Sequence, residues 1–315
     1  MESRPNQLQG RLPVPEKCYL CDKPFDSDGV LKHGEHIIQD SLGGTLIADE
    51  ILCASCGSKL GNSVDGPFVA ALAPLTVLLD LPRGAGAHAK AKVRLALNED
   101  EASSLSAVTF LLSQDFTIAP SRPLMLTSEA KKTVTVIGST LKQAEQFSNS
   151  PAVKAALSSG YALELSENAA TYAQSLLVPV SPSSVEVLRG VLKIAIEFAN
   201  HSGVPRAVFK HLLADGDMTN SEALLRSSIF PYYPTTDAER FFETEKHTHE
   251  DWFPTHHLYI FSQYRSLYCY VELFGTIQNY VLLSAEYDGP PVEAKFIQKA
   301  ERWEFNADTF TAKDE

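Results

Sequence analysis

A chain of 315 residues is long for one domain and suits two, a small module and a larger one. With 44% hydrophobic and 21% charged residues and a mean hydropathy of -0.10, it can bury a core, which excludes disorder over most of its length. The net charge of -12 excludes a surface that binds nucleic acid throughout, because affinity for the phosphate backbone comes mainly from Lys and Arg displacing counterions. No run approaches the ~18 apolar residues of a membrane span, and the first thirty residues lack a basic start followed by an apolar stretch. The reading is therefore cytoplasmic, with no membrane partner.

Residues 1–15 are polar, carry Pro5, Pro13 and Pro15, and repeat at neither a helix nor a strand period, which makes them a loose lead-in. The first module starts near Lys17. Cys18 and Cys21 bracket two residues, as do Cys53 and Cys56, and 31 residues separate the pairs. Two such knuckles supply four thiolates to a Zn²⁺ held tetrahedrally at ~2.3 Å. These four are the expected ligands of a structural zinc. The fifth cysteine, Cys269, lies alone in an apolar, strand-like run and reads as a buried, inert thiol. Between the knuckles stand Glu35, His36, Ile37 and Ile38, then Leu42, Gly43 and Gly44. A hairpin would present Glu35 and His36 at a strand end, with the glycines in a tight turn and the second knuckle opening a short helix.

Beyond the module, Pro67 to Leu81 is mostly apolar and too short to span a bilayer, so it predicts a buried helix and strand. Arg83, Lys90, Lys92 and Arg94 follow around His88 with no acid between them. They are the local candidate for contact with nucleic-acid phosphates, and a solvated face explains them as well. Thr133 to Gly138 predicts a strand, Ser139 to Phe147 a helix and Tyr161 to Leu165 another strand. Ser183 to Ala199 is the clearest helix, capped by Ser183 or Ser184 and ended before Gly203. Its stripe runs through Val185, Leu188, Val191, Leu192, Ala195 and Phe198. Ile194 and Ile196 fall off that stripe, which predicts burial on more than one side. His247, His249, His256 and His257, beside Glu243, Glu245, Glu250 and Asp251, match no metal-ligand spacing and read as a solvated loop. Three aromatic runs, His257 to Gln263, Leu267 to Phe274 and Thr276 to Ser284, predict an antiparallel meander whose aromatics are mostly core, with a stacking platform for bases as the lesser alternative. The fold class is α+β: a zinc-stapled module over residues 1–66, and a larger mixed α+β domain over 67–315 that ends in the meander.

The segment from Cys18 to Asp65 resembles the HNH (ββα-metal) endonucleases. Their motif reads Glu-His-Ile-Ile-Pro, a few residues, Leu-Gly-Gly, then Leu-Cys-x-x-Cys-Asn with a Gly four residues on and an Asp beyond. Glu35, His36, Ile37, Ile38, Leu42, Gly43, Gly44, Leu52, Cys53, Cys56, Gly61 and Asp65 stand in matching order. The resemblance implies a DNA endonuclease, with His36 as general base and Glu35 as ligand of a catalytic Mg²⁺ or Mn²⁺. Asp49, Glu50, Asn62 or Asp65 could complete the shell, with Asp65 the candidate because on a helix Asn62 points away from position 57, and defence against foreign DNA is the implied role. Three departures stand against the match: Gln39 replaces the Pro, Gly57 replaces the final Asn or His ligand, and no Asn precedes the second knuckle. Residues 1–66 also hold six Lys or Arg against ten Asp or Glu. The positive surface for DNA must then come from the larger domain or from a partner protein. The alternative is a catalytically degenerate HNH-fold module that binds or assembles through a partner chain or as a homo-oligomer.

Overall fold

The structure, a computed structural model, describes residues 15–299 apart from 26, 28–29, 82–89, 98–107, 114, 171–172, 178, 214–217, 236–239, 241–242 and 244–253. It divides into two compact units, one of Met1–Ala71 with Ser181–Glu315 and one of Leu72–Val180. The expected division sets 1–66 against 67–315; in this grouping the N-terminal module shares its unit with residues 181–315.

The N-terminal module is a ββα unit. Strand β1 (Lys32–His36) pairs antiparallel with β2 (Ile47–Cys53), with Glu35 opposite Ala48, His36 opposite Ile47 and an irregularity between His33 and Glu35. The connection makes one 3-10 turn, Asp40–Leu42, which ends at Gly43 with φ of 83°. Gly44 is required by space: a Cβ there would sit 1.8 Å from the Ile38 carbonyl oxygen. The Leu-Gly-Gly triplet is thus spent on backbone geometry that no larger residue permits. Helix α1 (Ala54–Leu60) opens at Cys53. It passes through a π-helical turn, Gly61–Asp65, into α2 (Gly66–Leu78). The apolar run expected as helix and strand is helix through Leu78, followed by a turn.

The second unit is built on two sheets. Strands β3 (Ala91–Leu97), β4 (Phe110–Leu112) and β5 (Ile118–Pro120) join one sheet. Strands β6 (Leu124–Ser128) and β7 (Thr133–Ile137) begin the other. Helices α3 (Leu141–Ser148) and α4 (Pro151–Ser158) then cross over to β8 (Ala162–Ser166), which lies parallel to β7. Strand β9 (Ala173–Leu177) completes the first sheet in the order β5-β4-β3-β9. Thr140 caps α3 by accepting the Gln143 amide hydrogen. Val134, Val136, Ala144 and Val153 pack the crossover onto its sheet. The strand, helix and strand expected from Thr133 to Leu165 are thus present as β7, α3 and β8.

The chain re-enters the first unit at α5 (Val185–His201), capped by Ser184 through the Val187 amide. Two short helices follow, α6 (Arg206–Phe209) and α7 (Glu222–Ser228), then β10 (Ile229–Pro231). Strands β11 (Thr255–Gln263), β12 (Ser266–Leu273), β13 (Ile277–Ser284) and β14 (Glu293–Lys299) complete an antiparallel sheet in the order β10-β13-β12-β11-β14. This is the expected meander with an added edge on each side. Cys269 on β12 is fully buried, and burial pushes its thiol well above the ordinary value. Helix α5 packs on β11, β12 and β13 and also on β2 and the π-helical turn. That placement explains why Ile194 and Ile196, off the main stripe, are as buried as Val191 and Leu192. No helix among the described residues is long and apolar enough to cross a membrane.

One contact sets how closely α5 approaches the module. The Phe68 ring lies on the α5 backbone at Gly190, where a Cβ would stand 2.2 Å from the ring. An alanine normally gains about 0.8–1.0 kcal/mol over glycine inside a helix. Here the clash outweighs that gain, so Gly190→Ala is expected to lower stability by about 1–3 kcal/mol in urea unfolding.

Candidate active site and metal centre

Cys18, Cys21, Cys53 and Cys56 come together with all four sulfurs within 4.8 Å of one another. The chain doubles back at the first knuckle, where the Asp22 amide bonds to the Cys18 carbonyl, and at the second, where Cys53 ends β2 and Cys56 lies in α1. The Cys21 and Cys53 sulfurs are 3.9 Å apart. A tetrahedron of sulfurs about 2.3 Å from zinc has edges of about 3.8 Å. Burial pushes the Cys18 thiol up to about 11, and burial followed by the charge of Cys18 raises Cys56 further. Four thiolates share such a site only around a cation. The cluster is placed to hold a metal ion and fits the donor set of zinc.

Beside it lies a buried ionic cluster that spacing alone does not reveal. The Lys193 ammonium, fully buried on α5, donates to Glu35 Oε1 at 2.6 Å. It lies 3.0 Å from Asp65 Oδ1 and 3.2 Å from Glu197 Oε2. Asp65 Oδ1 also accepts from Gln39 Nε2 at 2.6 Å. The buried Tyr19 hydroxyl donates to Glu197 Oε1 at 2.9 Å. Burial alone would pull the lysine down, but the carboxylates of Glu197, Asp65 and Glu35 outweigh it and hold the ammonium above its usual range. Burial is also the largest effect on Glu197 and Asp65 and raises both, against the pull of Lys193. Glu35 and Asp65, the carboxylates expected around a divalent ion, thus converge on one point. The cation between them is a lysine.

His36 ends β1, half-buried and paired in register with Ile47. Glu35 is buried, and its second oxygen, Oε2, lies 3.3 Å from His33 Nε2. Gly57, the position that lacks a ligand side chain, sits under that imidazole: a Cβ there would meet His33 Cδ2 at 2.6 Å. The exposed Asn62 side chain donates back to the Ser58 carbonyl.

The loop between β1 and β2 is held by the C-terminal sheet. Gln298 on β14 donates to the Gly43 carbonyl and accepts from the Thr45 amide and hydroxyl. His256 on β11 is fully buried, and Nε2–H donates to the Leu42 carbonyl at 2.9 Å. Burial lowers its pKa to about 4, so the ring is neutral near pH 7. His256 and His257 therefore belong to a strand rather than a solvated loop, while His247 and His249 lie outside the described residues. The aromatics of the sheet pack on one another: Tyr259 stacks on Phe261, and Phe261 on Tyr268, at 5.2 and 5.6 Å.

Lys90 is exposed beside β3, and Lys92 and Arg94 alternate outward along it with Ala91, Val93 and Leu95 turned inward. They belong to the second unit, and Arg83 lies outside the described residues. Sequence reasoning missed Lys193, Glu197, Tyr19 and His33. A signal existed for two of them. A Lys and a Glu four residues apart inside a helix expected to be buried on more than one side point to a buried pair.

Removing the lysine leaves the carboxylates of Glu35, Asp65 and Glu197 without their shared cation. Lys193→Met is expected to cost about 3–5 kcal/mol in urea unfolding, and adding Glu197→Gln should recover part of that loss.

Residues 18–73 match the HNH endonuclease family. Comparison with curated proteins and with solved structures gives no significant match. The family match covers the cysteine cluster, the β1–β2 hairpin with Glu35 and His36, and the helical run through Asp65. The similarity to HNH endonucleases is thus confined to the N-terminal module of this chain.

Proposed function

We propose that the chain is a metal-dependent DNA endonuclease that hydrolyses phosphodiester bonds at its N-terminal module, in the setting of defence against foreign DNA. The observation that carries this reading is that Glu35 and His36 lie at the end of β1, on a ββα unit whose four cysteines lie together. In this reading zinc is structural and does no chemistry. His36, as neutral imidazole, takes the proton from the attacking water as its oxygen bonds to phosphorus, while the bond to the leaving oxygen breaks. Glu35 is the residue that holds a divalent ion, Mg²⁺ or Mn²⁺, which supplies charge neutralisation at the phosphate when bound. Lys193 fixes one Glu35 oxygen and leaves the other turned to His33. The exposed Lys90, Lys92 and Arg94 are proposed as contacts to the DNA backbone, since the module itself is acidic.

A second reading has its own support. Gly57 brings no donor, and Lys193 already neutralises part of the carboxylate group. Both suit a catalytically degenerate module that acts through a partner.

Two measurements test these readings. Metal analysis is expected to find about one zinc per chain, lost together with folded structure in Cys56→Ser or under a strong chelator. Plasmid DNA is expected to be nicked with Mg²⁺ or Mn²⁺ but not with EDTA, and His36→Ala should slow nicking by about 10²-fold or more with zinc retained. Absence of cleavage by the zinc-loaded, folded chain under every condition would move the assignment to the binding module.

A further inference from the structure

We propose that His33 supplies the ligand that Gly57 cannot, so that the divalent ion is held between Glu35 Oε2 and His33 Nε2. This rests on the reading of Glu35 as an ion ligand, and it names the second protein donor.

Four observations support the assignment. The first is spacing. Nε2 of His33 and Oε2 of Glu35 are 3.3 Å apart, and neighbouring ligands about 2.0–2.1 Å from an octahedral Mg²⁺ stand about 3 Å apart. The second is the use of space. A side chain at position 57 would start 2.6 Å from His33 Cδ2 and 3.0 Å from Nε2. The imidazole therefore occupies the room into which a residue 57 side chain would extend, and glycine is what admits it. A donor is lost from the helix and one is gained on the strand at the same place.

The third is preorganisation. Glu35 Oε1 is fixed by the buried Lys193 ammonium at 2.6 Å, which orients the carboxylate and leaves Oε2 directed at His33. Asp65 is differently placed, since Lys193 and Gln39 both engage its Oδ1. The fourth is access and charge. The Glu35 side chain is 9% exposed and that of His33 is 44% exposed, so solvent reaches the pair from the histidine side. Three carboxyl groups, those of Glu35, Asp65 and Glu197, meet the single ammonium of Lys193, an arrangement that favours a further cation at Oε2. An oxygen and an imidazole nitrogen suit Mn²⁺ and leave the thiolate cluster to zinc.

The test is Mn²⁺ binding by the zinc-loaded full-length chain, followed by calorimetry and by pulsed EPR for nitrogen coupled to the bound manganese. Wild type is expected to bind one Mn²⁺ outside the cysteine cluster and to show the nitrogen coupling. His33→Ala should abolish that coupling and weaken binding at least tenfold, with zinc content and thermal midpoint unchanged. In the double variant His33→Ala with Gly57→Asn, where the room is free again, Mn²⁺ binding should recover. Affinity and coupling unaffected by His33→Ala would overturn the assignment while leaving Glu35 and the nuclease reading intact. Failure of wild type to bind Mn²⁺ would also overturn it, and plasmid cleavage would then decide separately whether the nuclease reading stands.

Discussion

The buried ammonium of Lys193 is the constraint on which the module's arrangement depends. Taking a lysine out of water costs several kcal/mol, and the cost is offset only where opposite charges meet it at close range. Here three segments meet it: Glu35 from β1, Asp65 from the end of the π-helical turn and Glu197 from the next turn of α5. None of the three satisfies the lysine alone. The hairpin, the helical run and α5 must therefore be in place together, and the cysteine-bearing segment shares a compact unit with residues 181–315.

Several local features follow from that meeting point. The π-helical turn interrupts an otherwise continuous helical run and places Asp65 within 3.0 Å of the ammonium; such turns commonly re-aim a side chain at a site. Gln39, where the family motif has proline, contributes a side-chain donor to the same aspartate. Gly190 lets α5 come close to the Phe68 ring. On the far side of the hairpin, His256 and Gln298 satisfy carbonyls of the Leu-Gly-Gly loop that would otherwise be buried without partners. The base and the carboxylate of the proposed chemistry thus stand on a strand held from both sides, which is the rigidity a hydrolytic site needs.

The ionic cluster also separates two roles that the motif merges. Metal-ligand reasoning treats Glu35 and Asp65 as equivalent acids near one ion. In the fold one of them gives a single oxygen to Lys193 and keeps the other toward the half-exposed edge of the site, while the other is bound to Lys193 and Gln39. The acidic balance of the module has part of its explanation here, since some of its carboxylates neutralise an internal cation contributed from far along the chain.

The sequence by itself determined the elements whose cause is local. Two pairs of cysteines, each two residues apart, match the spacing of zinc knuckles, so the knuckles and the HNH resemblance were legible. The two glycines after Leu42 announced a backbone that tolerates no side chain. Serine caps and apolar periodicity placed α5 and the meander close to their observed limits. Which distant residues complete the site depends on packing in three dimensions. Lys193 meets Glu35 across 158 positions of sequence, and His256 meets Leu42 across 214. Neither pairing has a spacing to read. They exist because burying a charge or a carbonyl obliges it to find a partner, and the partner is chosen by packing in space rather than by order along the chain.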